Sequence, residues 1–224
     1  LGLPWAMDKD TNVAILGERD FGAGEGSGDL VYLTISTGVG GAALSGGRPV
    51  VGPDLAAGEL GHITVDMDGP LCGCGGVGHV EAFASGAGIA RAARAALDAG
   101  TAAPELRRMA ADIAPAQLTA VHVSQAADLG DPAATVIIDR ARRAVAVAVV
   151  SIVNVFGPDA VILGGAIALA WGERLIAPAR EAVAESAFRI QAERVKVVQA
   201  ALGDDVGLIG TVPLVASALP ELAR

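Results

Sequence analysis

The apolar positions of the chain begin in a helical period, pass into alternating strands, lose periodicity, and then return mainly as helices. Residues 11–20 (TNVAILGERD) carry the helical spacing, and Asp10 or Thr11 stands where its cap belongs. Gly22 to Gly28 is a glycine-rich loop. Leu30 to Ser36 is a β-branched run that predicts a strand, ending in a tight turn at Thr37-Gly38-Val39-Gly40-Gly41. Ala42 to Leu44 and Arg48 to Val51 predict a hairpin around Ser45-Gly46-Gly47. From Gly52 to Gly78 the pattern disappears into glycines, acids and both cysteines, so something other than a hydrophobic core must order that insert.

Helical periodicity resumes at Val80. Val80 to Leu97 predicts one helix with a weak point at Ser85-Gly86. Pro104 to Ile113, Ala120 to Leu129 and Pro132 to Val155 predict three more, the last begun by Asp131-Pro132. A strand over Ala160 to Leu163 runs into Gly164-Gly165. A helix over Trp171 to Ser186 contains Pro178, a strand covers Val195 to Gln199, and a last helix from Val206 to Leu219 allows a kink at Pro213. This order suits a layered α/β protein better than a bundle or a sandwich. No internal repeat or low-complexity linker interrupts it.

Composition narrows the picture. The 224 residues are 52% hydrophobic but only 3% aromatic, so Ala, Val, Ile and Leu must do the packing, in one large core or two joined subdomains. A formal net charge of −9 argues against a nucleic-acid surface in this region, because such surfaces need clustered Lys and Arg. The longest apolar run, Ala144 to Phe156, is broken by Ser151 and Asn154 and is too short to cross a bilayer. Leu1-Gly2-Leu3-Pro4-Trp5 does not read as a secretory signal, and a start without Met predicts a beginning that is truncated, processed or disordered upstream. The two cysteines, Cys72 and Cys74, are separated by one residue. Such neighbours rarely close a relaxed disulfide and point to a metal in a reducing, cytoplasmic setting.

Four constellations could carry chemistry. His62, Cys72, Cys74 and His79 supply four soft or borderline donors, the number and type that tetrahedral zinc takes. With all four bound, the metal has no open position and is structural, providing folding free energy to an insert that cannot bury much surface. Glu59, His62 and Glu81 form a second group: carboxylates beside an imidazole suit sugar hydroxyls, which both donate and accept. Asp10 is either a helix cap or a base that takes a proton from a hydroxyl attacking a phosphoryl donor. Ser36 to Gly41, after a strand, exposes backbone N–H groups that can cradle a phosphate with help from the Thr37 hydroxyl, and Gly164-Gly165 is a similar, weaker signal. The former lacks the Gly-Lys-Ser/Thr ending of a Walker A loop.

Together these residues resemble the ROK family of bacterial sugar kinases and sugar-responsive repressors, over nearly the whole chain. The most specific part is Gly58-Glu59-Leu60-Gly61-His62, then Cys72-Gly73-Cys74-Gly75, then Gly78-His79-Val80-Glu81. The family has a third Cys where His79 stands, and His is a competent replacement ligand. The resemblance implies sugar contacts from Glu59, His62 and Glu81, with His62 also on zinc, and makes Asp10 the general base. Lys9 occupies the position of a sugar-contacting Asn; it cannot accept a hydrogen bond and adds charge beside Asp10. Thr37, Gly38, Gly40 and Gly41 match the second phosphate loop, Gly164 and Gly165 the nucleotide-side glycines, and Leu202 to Gly210 the family's tail.

The implied fold is an actin-like, ribonuclease-H-like pair of α/β lobes with ATP and magnesium between them. This chain would supply mainly the C-terminal lobe. Residues 1–29 would be the end of the first lobe with the Asp10 helix, and 30–224 the C-terminal lobe, including the zinc insert 52–81 and a helical region 80–156. The family's first phosphate loop does not occur in the sequence. The leading functional expectation is glucokinase-like phosphorylation of a hexose or N-acylhexosamine hydroxyl, most simply at C6. The alternatives are the sugar-binding effector domain of a repressor and a zinc-stabilised non-catalytic remnant. The expected partners are a small-molecule sugar and a second copy of the chain, with neither membrane nor nucleic acid bound through this region.

Overall fold

The structure, a computed structural model, describes residues 5–219. Leu1 to Pro4 of the segment weighed as a signal lie outside the described residues. Helix α1 (Asp10–Phe21) precedes β1 (Leu30–Ile35), β2 (Val39–Ser45) and β3 (Arg48–Pro49). After the insert come α2 (Val80–Ala84), α3 (Gly86–Asp98), α4 (Pro104–Ala110), α5 (Ala120–Asp128) and α6 (Pro132–Phe156). Then follow β4 (Ala160–Gly164), α7 (Ala166–Trp171), α8 (Glu173–Ser186), α9 (Arg189–Ala192), β5 (Lys196–Gln199) and α10 (Val206–Ala218). No described helix is long and apolar enough to cross a membrane.

The five strands form one sheet in the order β3-β2-β1-β4-β5. β1 pairs antiparallel with β2 and parallel with β4, and β4 pairs parallel with β5. Alternate residues of the central strands enter two separate cores. Val31, Leu33, Val161 and Leu163 face the larger one, built on α6, α8 and the helices around them. Leu30, Tyr32, Ala160 and Ile162 face the smaller one, with Ala14, Ile15 and Leu16 of α1. Covering both faces explains why these strands read as nearly continuous apolar runs.

On the smaller face α1 and α10 cross at two glycines: a Cβ on Gly17 would stand 3.1 Å from the Gly210 backbone. This close approach accounts for the glycine inside α10, where it would otherwise weaken the helix. α6 begins as its sequence requires, with the Asp131 side chain accepting from the Ala134 N–H at 3.0 Å and Pro132 in the first turn. The weak point at Ser85-Gly86 is a true break, where Ser85 ends α2 and caps α3 by accepting from the Gly88 N–H at 2.9 Å.

Three local expectations are corrected, and one short helix was not foreseen. The α1 cap position belongs to Lys9, which has no side chain suited to capping, and Asp10 is the first helical residue. The turn after β1 is confined to Ser36–Gly38, so Gly40 and Gly41 lie inside β2, paired with Thr34 and Leu33. The helix expected over Trp171 to Ser186 starts earlier and splits into α7 and α8 at Gly172, whose φ of 50° ends the first piece. α9, only four residues long, was too short to carry a readable period.

Candidate functional site

The end of β1, the start of β2, the N-terminus of α1 and the start of α7 surround an open cleft of about 520 Å³. Asp10, Thr37, Gly38, Gly40, Glu81 and Gly165 all line it. Asp10 is solvent-exposed at the helix N-terminus. Its Oδ1 accepts from the Thr11 N–H at 2.7 Å, and no described group engages Oδ2. A carboxylate in this setting has one oxygen anchored by backbone and another open to a ligand.

The glycines divide into two groups. Gly38 and Gly40 line the cleft. Gly41 and Gly164 are required by packing: a Cβ on Gly41 would stand 2.6 Å from Leu60, and one on Gly164 would strike the Tyr32 ring, 2.7 Å from Cζ. Gly165 is on the cleft wall with φ 86°, and a Cβ there would approach the Ile35 carbonyl to 2.6 Å. Glycine at that point therefore answers to the β4–α7 turn as well as to any ligand.

Beside the cleft, the insert gathers its four expected donors. One ligand atom from each of His62, Cys72, Cys74 and His79 lies within 4.8 Å of the others. Cys72 Sγ is 3.8 Å from His62 Nδ1, and Cys74 Sγ is 3.3 Å from His79 Nδ1. A tetrahedral zinc with ordinary Zn–N and Zn–S bonds needs ligand atoms roughly 3.6 Å apart. The cluster therefore fits zinc in both chemistry and spacing. Burial pushes the Cys72 thiol up, and the nearby Glu81 raises it further; a bound divalent cation opposes both effects. The tetrad is held by backbone pairing: the Cys72 N–H donates to Gly76 O at 2.7 Å, and the Val80 N–H to Ile63 O at 3.0 Å.

Glu81 joins cluster and cleft. One carboxylate oxygen accepts from the Val39 N–H at 3.0 Å, at the start of β2, and the other from Cys72 Sγ at 3.4 Å. Lys9 and Glu59 form an ion pair of 2.8 Å, with Lys9 Nζ also donating to the Ala57 carbonyl at 3.3 Å. The pair leaves one Glu59 oxygen and one Lys9 N–H uncommitted, so Lys9 can donate where it cannot accept. Lys9, Glu59 and His62 stand outside the cleft lining, around the adjoining insert.

Several residues of this region escaped sequence reasoning. Tyr32, Thr34 and Asp204 line the cleft. Burial, with the Glu18 charge second, pushes the Tyr32 phenol up to about 12. Glu18 is fully buried, and its carboxylate accepts from the N–H groups of Ala23 at 2.7 Å, Ala201 at 3.1 Å and Leu202 at 3.0 Å. It ties α1 to the segment leading into Gly203 and Asp204 of the cleft wall. The sole tyrosine of the chain was a usable signal; a lone glutamate on a helix was not.

A mixed sheet of this order, with a helix-borne aspartate facing a glycine turn and a Cys/His cluster alongside, makes an α/β lobe with an open cleft at one end of its sheet. The chain belongs to the ROK family, whose model matches residues 1–218. It is 35% identical over 209 residues to a glucokinase of Thermotoga maritima, covering 93% of this chain and 65% of that protein's length. The crystal structure of a ROK family glucokinase from Streptomyces griseus, in complex with glucose and AMPPNP, matches with a TM-score of 0.72 at 33% identity, over 94% of this chain and 67% of that one. The structure of a ROK family transcriptional regulator, a homologue of the E. coli MLC protein, matches with a TM-score of 0.79 at 27% identity, over 95% of this chain and 52% of that one. The fold is thus the actin-like ATPase fold of these neighbours.

Proposed function

We propose that this chain carries the acceptor side and the base of an ATP-dependent kinase for a hexose or N-acylhexosamine, of glucokinase type. The observation that carries the reading is the placement of Asp10 in one cleft with Thr37, Gly38 and Gly40. In this reading Asp10 Oδ2 takes the proton of the sugar hydroxyl as that oxygen attacks phosphorus, while Oδ1 stays on the Thr11 N–H. Glu59, His62, Glu81 and Lys9 hold the sugar, and the Ser36–Gly38 turn offers the Thr37 hydroxyl and backbone N–H groups to phosphate oxygens. ATP with magnesium supplies the transferred group. Zinc on His62, Cys72, Cys74 and His79 is structural: it sets the direction of His62 and, through the adjoining turn, of Glu81.

The division into a first-lobe end at 1–29 and a C-terminal lobe at 30–224, assembly as a homodimer and a cytoplasmic setting complete the proposal. An ADP-release assay of the full-length protein against glucose, fructose and N-acetylmannosamine tests it. Turnover on at least one sugar is expected, falling about 10²–10⁴-fold in Asp10→Ala with sugar affinity largely kept. Sugar binding without turnover on any of them would favour the second reading, a repressor's effector domain. The likeness to the transcriptional regulator supports that alternative.

A further inference from the structure

Away from the cleft, α3 and the first half of α6 enclose a groove of about 730 Å³, floored by α2 and ended by Pro70 of the insert. None of its lining residues lines the Asp10 cleft. Its size is that of a small-molecule pocket. The walls are apolar and made of short side chains, with Ala92 and Ala96 facing Val136 and Ile137.

Two arginines line the groove from opposite walls, Arg91 on α3 and Arg140 on α6. No carboxylate lines the groove, although the chain has 25 acids and a net charge of −9. Charge of this sign in this place therefore does not follow from the protein's average surface. Both arginines are exposed, yet neither dangles. Arg91 spends one N–H on the Leu71 carbonyl at 2.7 Å. Arg140 lies over the Phe83 ring, 5.5 Å from its centroid. Arg140 makes no ion pair among the described residues. A guanidinium stacked on a ring keeps its in-plane donors for a carboxylate, and stacking reduces the entropy lost on binding one.

We infer that this groove is a binding site for a small amphipathic carboxylate, its head between Arg91 and Arg140 and its apolar body along the Ala92–Ala96 and Val136–Ile137 walls. The site is independent of the kinase reading. Isothermal titration of the full chain with decanoate tests it, with decanol and acetate as probes lacking the charge or the apolar body. One decanoate per chain is expected, with decanol and acetate each at least about tenfold weaker. Arg140→Gln is expected to weaken decanoate about tenfold and leave decanol unchanged, as loss of one charge-assisted hydrogen bond predicts. Unchanged thermal midpoints of the variant keep folding apart from binding. The inference is overturned if decanol matches decanoate, if several decanoates bind per chain, or if the Arg91→Gln, Arg140→Gln double variant binds as before. It is equally overturned if sedimentation shows a dimer that Ala96→Arg dissociates, since a second copy would then fill the groove.

Discussion

The insert and the sheet reach order by opposite means. The strands β1 and β4 are buried on both faces, and every residue of β4 is buried. Between Gly52 and His79 only Leu60, Gly61, Cys72 and Gly78 are buried. The sheet holds together because apolar area leaves water, which stabilises by about 25 cal/mol per Å². The insert has too little such area and instead converges four metal-ligating side chains with a few backbone hydrogen bonds. Polar groups that the fold must bury show the same contrast. On the sheet side, Glu18 is satisfied by three N–H groups without any metal. In the insert, the buried Cys72 thiol donates to Glu81, and the four donors gather at spacings that fit a zinc ion.

The sharpest break in the comparison is metal removal. A chelator or Cys72→Ser should abolish amide-exchange protection across residues 63–80, and sugar KM should rise at least about tenfold, as loss of ligand orientation predicts. Far-UV circular dichroism should stay near that of the intact protein. Simultaneous collapse of the whole spectrum would show that the insert and the sheet are one cooperative unit. Ile162→Ala should do the reverse. It creates a cavity in a fully buried strand and should cost about 2–5 kcal/mol in urea unfolding, with zinc content unchanged.

Glu18→Gln comes next. Losing the charge that accepts three N–H groups should cost about 1–3 kcal/mol and loosen residues 201–205 in hydrogen exchange, with the zinc cluster unaffected. The smallest effect concerns Tyr32. Its phenol is raised from 10.0 to about 12, so the fold favours the protonated form. The stability this contributes is complete below pH 10 and lost as pH rises through about 12. An alkaline decline of at most about 3 kcal/mol is expected across that shift, and Tyr32→Phe should flatten it.

Much of this comparison was legible in the sequence. The loss of periodicity after Val51 marked the insert, and the clustering of His62, Cys72, Cys74 and His79 within one short segment singled out the four donors that the structure brings together. Helix α6 announced itself through Asp131-Pro132 and a long apolar period. The break at Ser85 was visible because serine both ends and caps helices. Less visible were residues whose role depends on a distant partner. Gly164 signalled a nucleotide approach, but the space it vacates is filled by the Tyr32 ring. The Asp10 cap was misplaced by one or two residues because its carboxylate binds the adjacent N–H of Thr11 and not one further into the helix.

By itself, then, the sequence determined what is local: the elements with a clear period, the four candidate metal donors and the resemblance to the family. Tertiary structure alone decided what is distant. It paired Lys9 with Glu59, fifty residues apart, and placed Glu18 under the N–H groups of Ala201 and Leu202. It also drew Asp10 and the Ser36–Gly38 turn into one cleft while leaving Gly41 to pack on Leu60. The physical reason is reach. Periodicity and ligand spacing act within a few turns of chain, whereas an ion pair, a buried carboxylate or a shared cleft exists only after strand register brings remote segments within a few ångströms.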